Sequence, residues 1–123
     1  MQTPEAAIQE YFNALNQSNL DGIVDVFDDD GSIMAQDFPT ASGARGLRGF
    51  FEHMFKVRAF SRELHVDRIV DAGTLATVQS HTTGTVTALD TGASVELTSR
   101  ELFVLRMVGD GWRIVDYMFN HAH

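Results

Sequence analysis

Near Ser61 the chain changes its hydrophobic period, and that change decides most of what it can fold into. Before it, apolar residues recur at helical spacing; after it, they alternate as side chains do on the two faces of a strand. Helices first, then strands joined by short turns, predict an α+β fold in which helices cover one face of a mostly antiparallel sheet.

The helical half has clear punctuation. Thr3 is a helix cap, Pro4 suits the first turn, and Glu5 meets the positive end of the dipole. Ala7, Ile8, Tyr11, Phe12 and Leu15 then form one apolar stripe, broken by Gln17-Ser18-Asn19. A short second helix is expected from Leu20, with Leu20, Ile23, Val24 and Phe27 inward and the acidic run Asp28-Asp29-Asp30-Gly31 as its stop. Ser32-Ile33-Met34-Ala35 reads as a short strand and 36–43 as a loop. A third helix is predicted over 45–60, with Leu47, Phe50, Phe51, Met54 and Phe55 on its inner side.

In the second half, Leu64, Val66 and Arg68 alternate with His65, Asp67 and Ile69. Asp71-Ala72-Gly73, Asp90-Thr91-Gly92 and Gly109-Asp110-Gly111 are turns. They separate predicted strands over 75–89, 95–108 and 112–119. Phe103-Val104-Leu105 and Val115, Tyr117 and Phe119 put apolar groups on both parities of the last two strands, so the sheet needs a second cover besides the helices. A second copy of the chain, seated on the outer sheet face, is the expected cover, with edge loops or the C-terminal tail as the other possibility.

The 123 residues suit one domain, 1–123. Nine basic against seventeen acidic residues leave a net charge of −8, and the arginines are scattered, so a nucleic-acid partner is not expected. No apolar run is long enough to cross a bilayer, and no charged-then-apolar leader precedes Thr3. The expected location is the cytoplasm, with no membrane partner. The absence of cysteine removes disulfides, thiolate metal sites and cysteine nucleophiles.

Four passages resemble the nuclear transport factor 2-like superfamily, and within it the SnoaL-like and ketosteroid-isomerase-like proteins. They are Tyr11-Phe12-Asn13-Ala14-Leu15-Asn16 with Leu20-Asp21-Gly22-Ile23-Val24, Phe27-Asp28-Asp29-Asp30, Gly46-Leu47-Arg48-Gly49-Phe50-Phe51, and Gly111-Trp112-Arg113-Ile114-Val115-Asp116-Tyr117. The resemblance covers nearly the whole chain. It implies a cone: a strongly bent mixed or antiparallel sheet packed on three N-terminal helices (a cystatin-like α+β barrel), round a pocket, commonly in a homodimer. Ketosteroid isomerases use a donor tyrosine that matches Tyr11, but their basic aspartate falls on Ala35 and their protonated aspartate near Phe103. Asp37 and Glu101 lie close by but off register, so steroid isomerisation is not carried over.

Several groups are candidates for chemistry. Tyr11 lies on the buried stripe, as a pocket donor or as a core ring bonded to the backbone. Asp116 shares parity with Trp112, Ile114, Met118 and Asn120. If that parity faces the concavity, it is a carboxylate among apolar neighbours, suited to proton transfer; otherwise it pairs with an arginine or meets solvent. Glu101 has the parity of Phe103, Leu105 and Met107, and projects into the same space or bridges to an arginine at the rim. His81 belongs to the row Thr77, Gln79, Thr83 and Thr85, which is expected outside, whereas Ala76, Val78, Ser80 and Thr82 suit a pocket wall. His53 is expected on the solvated side of its helix.

No metal-binding spacing of histidines and acids is present, and Gly43-x-x-Gly46-x-x-Gly49 has neither a dinucleotide nor a P-loop pattern, so no metal and no cofactor are expected. The expected function is binding of a small apolar or aromatic ligand. The pocket would be lined by Phe27, Met34, Phe50, Met54, Glu101, Phe103, Met118 and Asn120. If it is an enzyme, the expected type is a cofactor-independent isomerase, cyclase or dehydratase with Asp116 as base and Tyr11 as polariser. The other reading is a non-catalytic module with a filled core and a partner on the outer sheet face.

Overall fold

The structure is a computed structural model and describes residues 2–122. Thr3 accepts a hydrogen bond from the Ala6 N–H at 3.0 Å and starts α1, Pro4–Asn16. Asn19 accepts from the Gly22 N–H at 3.0 Å and starts α2, Leu20–Val26. Both caps satisfy N–H groups that the first helical turn leaves without partners.

The acidic run does not terminate α2 as a turn. The helix ends at Val26, and β1, Phe27–Met34, begins at once. Asp28 is buried there because Arg106 binds its carboxylate at 2.7 and 3.2 Å, which compensates its removal from water. The run therefore has a partner that the local sequence does not show. After the short β2, Ala41–Ser42, helix α3 runs over Gly43–Val57 rather than 45–60. Arg58 is already extended, and β3 begins on it, Arg58–Asp71.

Three long strands follow in β4 (Leu75–Ala88), β6 (Thr98–Val108) and β7 (Gly111–Ala122). The single strand expected over 95–108 is broken at Leu97. Its first part, β5 (Ser94–Glu96), pairs with β4 at Thr85–Thr87, and β6 pairs with β4 from Leu75 to Thr82. Gly84 stands between the two pairings with φ of 121°. The sheet order is β2-β1-β7-β6-β4-β3, with β5 beside β4. The β1–β7 pair is parallel and the other pairs are antiparallel, so the sheet is mixed. It stays open, with β2 and β3 as its ends, and does not close into a barrel.

Ile8, Tyr11 and Phe12 of α1 and Leu47 and Phe51 of α3 are buried against Val78, Phe103, Leu105, Ile114 and Tyr117 of the sheet. Burying each such side chain stabilises by roughly 1.5–3 kcal/mol relative to exposure. On the other face Leu102 and Met118 remain 43% and 45% exposed. None of the described helices is long and apolar enough to cross a membrane.

One irregularity sets the direction of everything after it. Leu105 pairs with Ile114 and Val104 with Asp116, so Val115 is an extra residue in β7. A bulge of this kind shifts the alternation by one position. Trp112 and Ile114 face the helices before it; Tyr117, Phe119 and His121 face them after it.

Candidate functional site

Between the helices and the concave face lies a cavity of about 360 Å³. The lower end of the usual range for small-molecule sites is close to that size. Apolar side chains form most of its wall, including Phe38, Phe50, Met54, Phe60, Val86 and Phe119. Its mouth lies toward Arg58, Ala93 and Val95, all exposed, with Val95 at 59%.

Its polar end is built from five elements: α1, β3, β4, β6 and β7. Asn16, the last residue of α1, holds the backbone of Arg62 on β3 from both sides. Its Oδ1 accepts from the Arg62 N–H at 2.8 Å, and its Nδ2 donates to the Arg62 carbonyl at 2.9 Å. The Arg62 side chain is thereby aimed inward and is only 8% exposed. Its Nη2 donates to the Thr82 carbonyl and Oγ1, both at 3.1 Å, and to Ser99 Oγ at 3.3 Å. Its Nη1 is buried and has no hydrogen-bond partner.

Glu101, on β6, is also buried. Ser80 Oγ donates to its Oε1 at 2.9 Å and Thr82 Oγ1 to its Oε2 at 2.8 Å. The Thr82 hydroxyl thus stands between the guanidinium and the carboxyl, which do not touch. Burial pushes the Glu101 carboxyl above the ordinary value of 4.5, more than the two hydroxyls and the Arg62 charge pull it down. Burial also lowers the Arg62 guanidinium. The Tyr11 and Tyr117 hydroxyls are hydrogen-bonded to each other, and burial raises both well above the ordinary phenol value of 10.0. His121 reaches the same end, with Nδ1 3.2 Å from Ser99 Oγ.

Of the residues singled out from the sequence, Tyr11, Phe50, Met54 and Glu101 line this cavity. The others do not. Phe103 is fully buried behind Tyr117, its ring stacked on the tyrosine at 4.2 Å, and Phe27 packs behind Tyr11 at 6.0 Å. Met34 lies on the parity of β1 opposite to Ile33 and Ala35, which do line the cavity. Asp116, Met118 and Asn120 are turned away by the Val115 bulge. Asp116 accepts from Ser32 Oγ, and Asn120 accepts from Arg100 Nε at 2.9 Å. The expected inward placement of Asp116 therefore does not hold, and a mechanism with that residue as base loses its geometry.

In the sequence Arg62 is one of several scattered arginines, but its parity with Leu64 puts it on the inner row of β3. His121 was hidden by the bulge. His81 lies on the outer face, its Nδ1 2.9 Å from Asp67 and its ring stacked on His65 at 4.8 Å. Among the described residues, no three histidine or acidic side chains are grouped to hold a metal ion.

The cone of helices on a bent sheet has relatives. Residues 8–117 match the family model of the SnoaL-like domain, and the chain belongs to that family. A ketosteroid isomerase-like protein from Erwinia carotovora atroseptica is 28% identical, with a TM-score of 0.91 over 97% of this chain and 93% of that one. A protein provisionally described as an aromatic ring hydroxylase, from Novosphingobium aromaticivorans, is 20% identical, with a TM-score of 0.84 over 97% and 86% of the two chains. An NTF2-like protein with a cystatin-like fold, from the same species, is 17% identical, with a TM-score of 0.75 over 93% and 76%. The last two likenesses are of fold alone. No curated protein sequence matches the chain.

Proposed function

We propose that the cavity binds a small, largely apolar molecule and that Glu101 exchanges a proton with its polar end, without a cofactor. One observation carries this reading: a buried carboxyl and a buried, incompletely paired guanidinium stand together at one end of an otherwise apolar cavity. Groups held out of water with unmet hydrogen-bonding capacity are arranged for something that is not protein. As carboxylate, Glu101 accepts a proton from carbon or oxygen of the ligand; the electron pair left behind moves onto a ligand oxygen at the polar end, where the Arg62 charge and the tyrosine hydroxyls stabilise it. Return of the proton restores Glu101. The 28% identity to a ketosteroid isomerase-like protein agrees with proton-transfer chemistry.

The test is solvent deuterium exchange into the carbons beside the carbonyl of phenylpentanone, followed by NMR. Wild-type protein is expected to accelerate exchange, and Glu101→Gln to lose that acceleration. Exchange no faster than in buffer, together with no ligand-induced rise in Tm, would sink the reading.

The outer sheet face, with Leu102 and Met118 exposed, supports the chain acting as a homodimer through that face. Sedimentation of wild type against Met118→Asp checks this: a dimer that becomes a monomer is expected, and a monomeric wild type refutes it.

A further inference from the structure

Arg62 is a buried cation that makes no direct ion pair with a described carboxylate. Of the ion pairs in the described structure, none includes Arg62, so no carboxylate oxygen of the described residues approaches its guanidinium within 4.0 Å. The nearest acid is spoken for: Glu101 receives the hydroxyls of Ser80 and Thr82, and Thr82 keeps it apart from the guanidinium. Nη2 makes three contacts, while Nη1 makes none. A charge out of water is costly unless a partner ion and hydrogen bonds compensate it. Here both compensations are incomplete for one side chain, and that side chain lines the cavity.

From this we infer that the ligand is an apolar monocarboxylic acid, aryl or alkyl, bound with its carboxylate at the Arg62 guanidinium and its body along the wall toward Phe60, Val86 and Val95. The inference rests on the cavity being a ligand site, and it names the ligand class. A neutral carbonyl would accept a guanidinium N–H but leave the charge unpaired; a carboxylate does both, and a guanidinium edge fits its geometry. Phosphate esters are disfavoured for two reasons. A dianion would sit beside Glu101, and it would exceed the single charge of Arg62. The wall leading from Arg62 to the mouth follows β3 and β4 from Gly84 to Ala88, and carries Phe60 paired with Val86, and Val86 with Val95. That run is apolar, as the body of such an acid requires.

Three probes with one hydrocarbon body separate the possibilities: phenylbutanoate, phenylpentanone and butylbenzene, each titrated calorimetrically into the whole protein at neutral pH. A charge-assisted hydrogen bond in a buried site is worth a factor of about ten or more in affinity, so phenylbutanoate is expected to bind at least that much more tightly than the ketone. Arg62→Lys keeps a positive charge for folding but loses the planar edge, and is expected to lose most of that preference while still binding butylbenzene. If the ketone binds as well as the acid, the carboxylate class is wrong while the cavity still holds ligands. If Arg62→Lys keeps the full preference, Arg62 is not the anchor and the inference fails. If none of the three binds, the inference falls together with the ligand reading of the cavity.

Discussion

Ser32 Oγ donates a 2.8 Å hydrogen bond to Asp116 Oδ1 across the parallel β1–β7 pair, on the parity of both strands that does not line the cavity. That one bond accounts for the Asp116 carboxylate without any ligand.

It follows that Asp116→Asn leaves the cavity intact. Affinity for phenylbutanoate is expected to stay within about twofold of wild type, as for substitutions that share no partner with the site. A tenfold loss by calorimetry would mean that the acid reaches the ligand after all.

The misplacement of Asp116 has a definite cause. Trp112, Ile114, Val115, Tyr117 and Phe119 offer apolar groups on both parities, so the pattern is compatible with either face until a bulge chooses. Nothing local marks Val115 as the extra residue; the choice is made by pairing with β1 on one side and β6 on the other. The helices were legible because their caps and stripes are local, and so was the inner row Ala76, Val78, Ser80 and Thr82. Arg62 was legible in principle, since it sits two places before Leu64 on the inner parity of β3. The acidic run in β1 was not legible, because its stabilising partner Arg106 is 78 residues away.

Glu101 makes stability depend on pH in a known direction. Its folded-state value lies above 4.5, so between the two values the folded chain holds a proton that the unfolded chain has released. Stability is therefore lost as pH rises through that window. Glu101→Gln has no such loss. The Tm of the variant relative to wild type is expected to be more favourable at about pH 7.5 than at about pH 4. Thermal denaturation at the two pH values checks this, and a difference that moves the other way refutes it.

Asp28 works in the opposite sense. Burial opposes its charged form, but the hydrogen bonds and charge of Arg106, with the Asp30 amide, outweigh burial and hold it below 3.8. The stabilisation is present above the ordinary value and is lost as pH falls through the folded one. Asp28→Asn is expected to lower Tm at neutral pH, with a deficit that shrinks in acid. A deficit independent of pH would assign the loss to packing instead.

Gly84→Ala tests the bend in β4. At φ of 121° a side chain is strained, and its Cβ would collide with the Ser61 carbonyl oxygen on the neighbouring strand. Backbone strain and overpacking each contribute on the order of 1–3 kcal/mol, so a loss of about 3 kcal/mol is expected in urea denaturation. A loss under about 0.5 kcal/mol, the usual range for an unremarkable surface site, would show that the bend does not need glycine.

Asn16 links the first helix to the site. Its amide clamps the Arg62 N–H and carbonyl at 2.8 and 2.9 Å, and so fixes where the guanidinium leaves β3. In Asn16→Ala both backbone groups lose their partner, which costs about 1–3 kcal/mol of stability where water cannot replace the bonds. The more telling effect is on selectivity: with β3 released, the Arg62 guanidinium is no longer held at a fixed place, and the advantage of phenylbutanoate over phenylpentanone is expected to fall while butylbenzene binds as before. Titration of the three probes separates this from general damage. A uniform weakening of all three would mean that Asn16 supports only the fold, because positioning of Arg62 acts on the charged probe and not on the hydrocarbon.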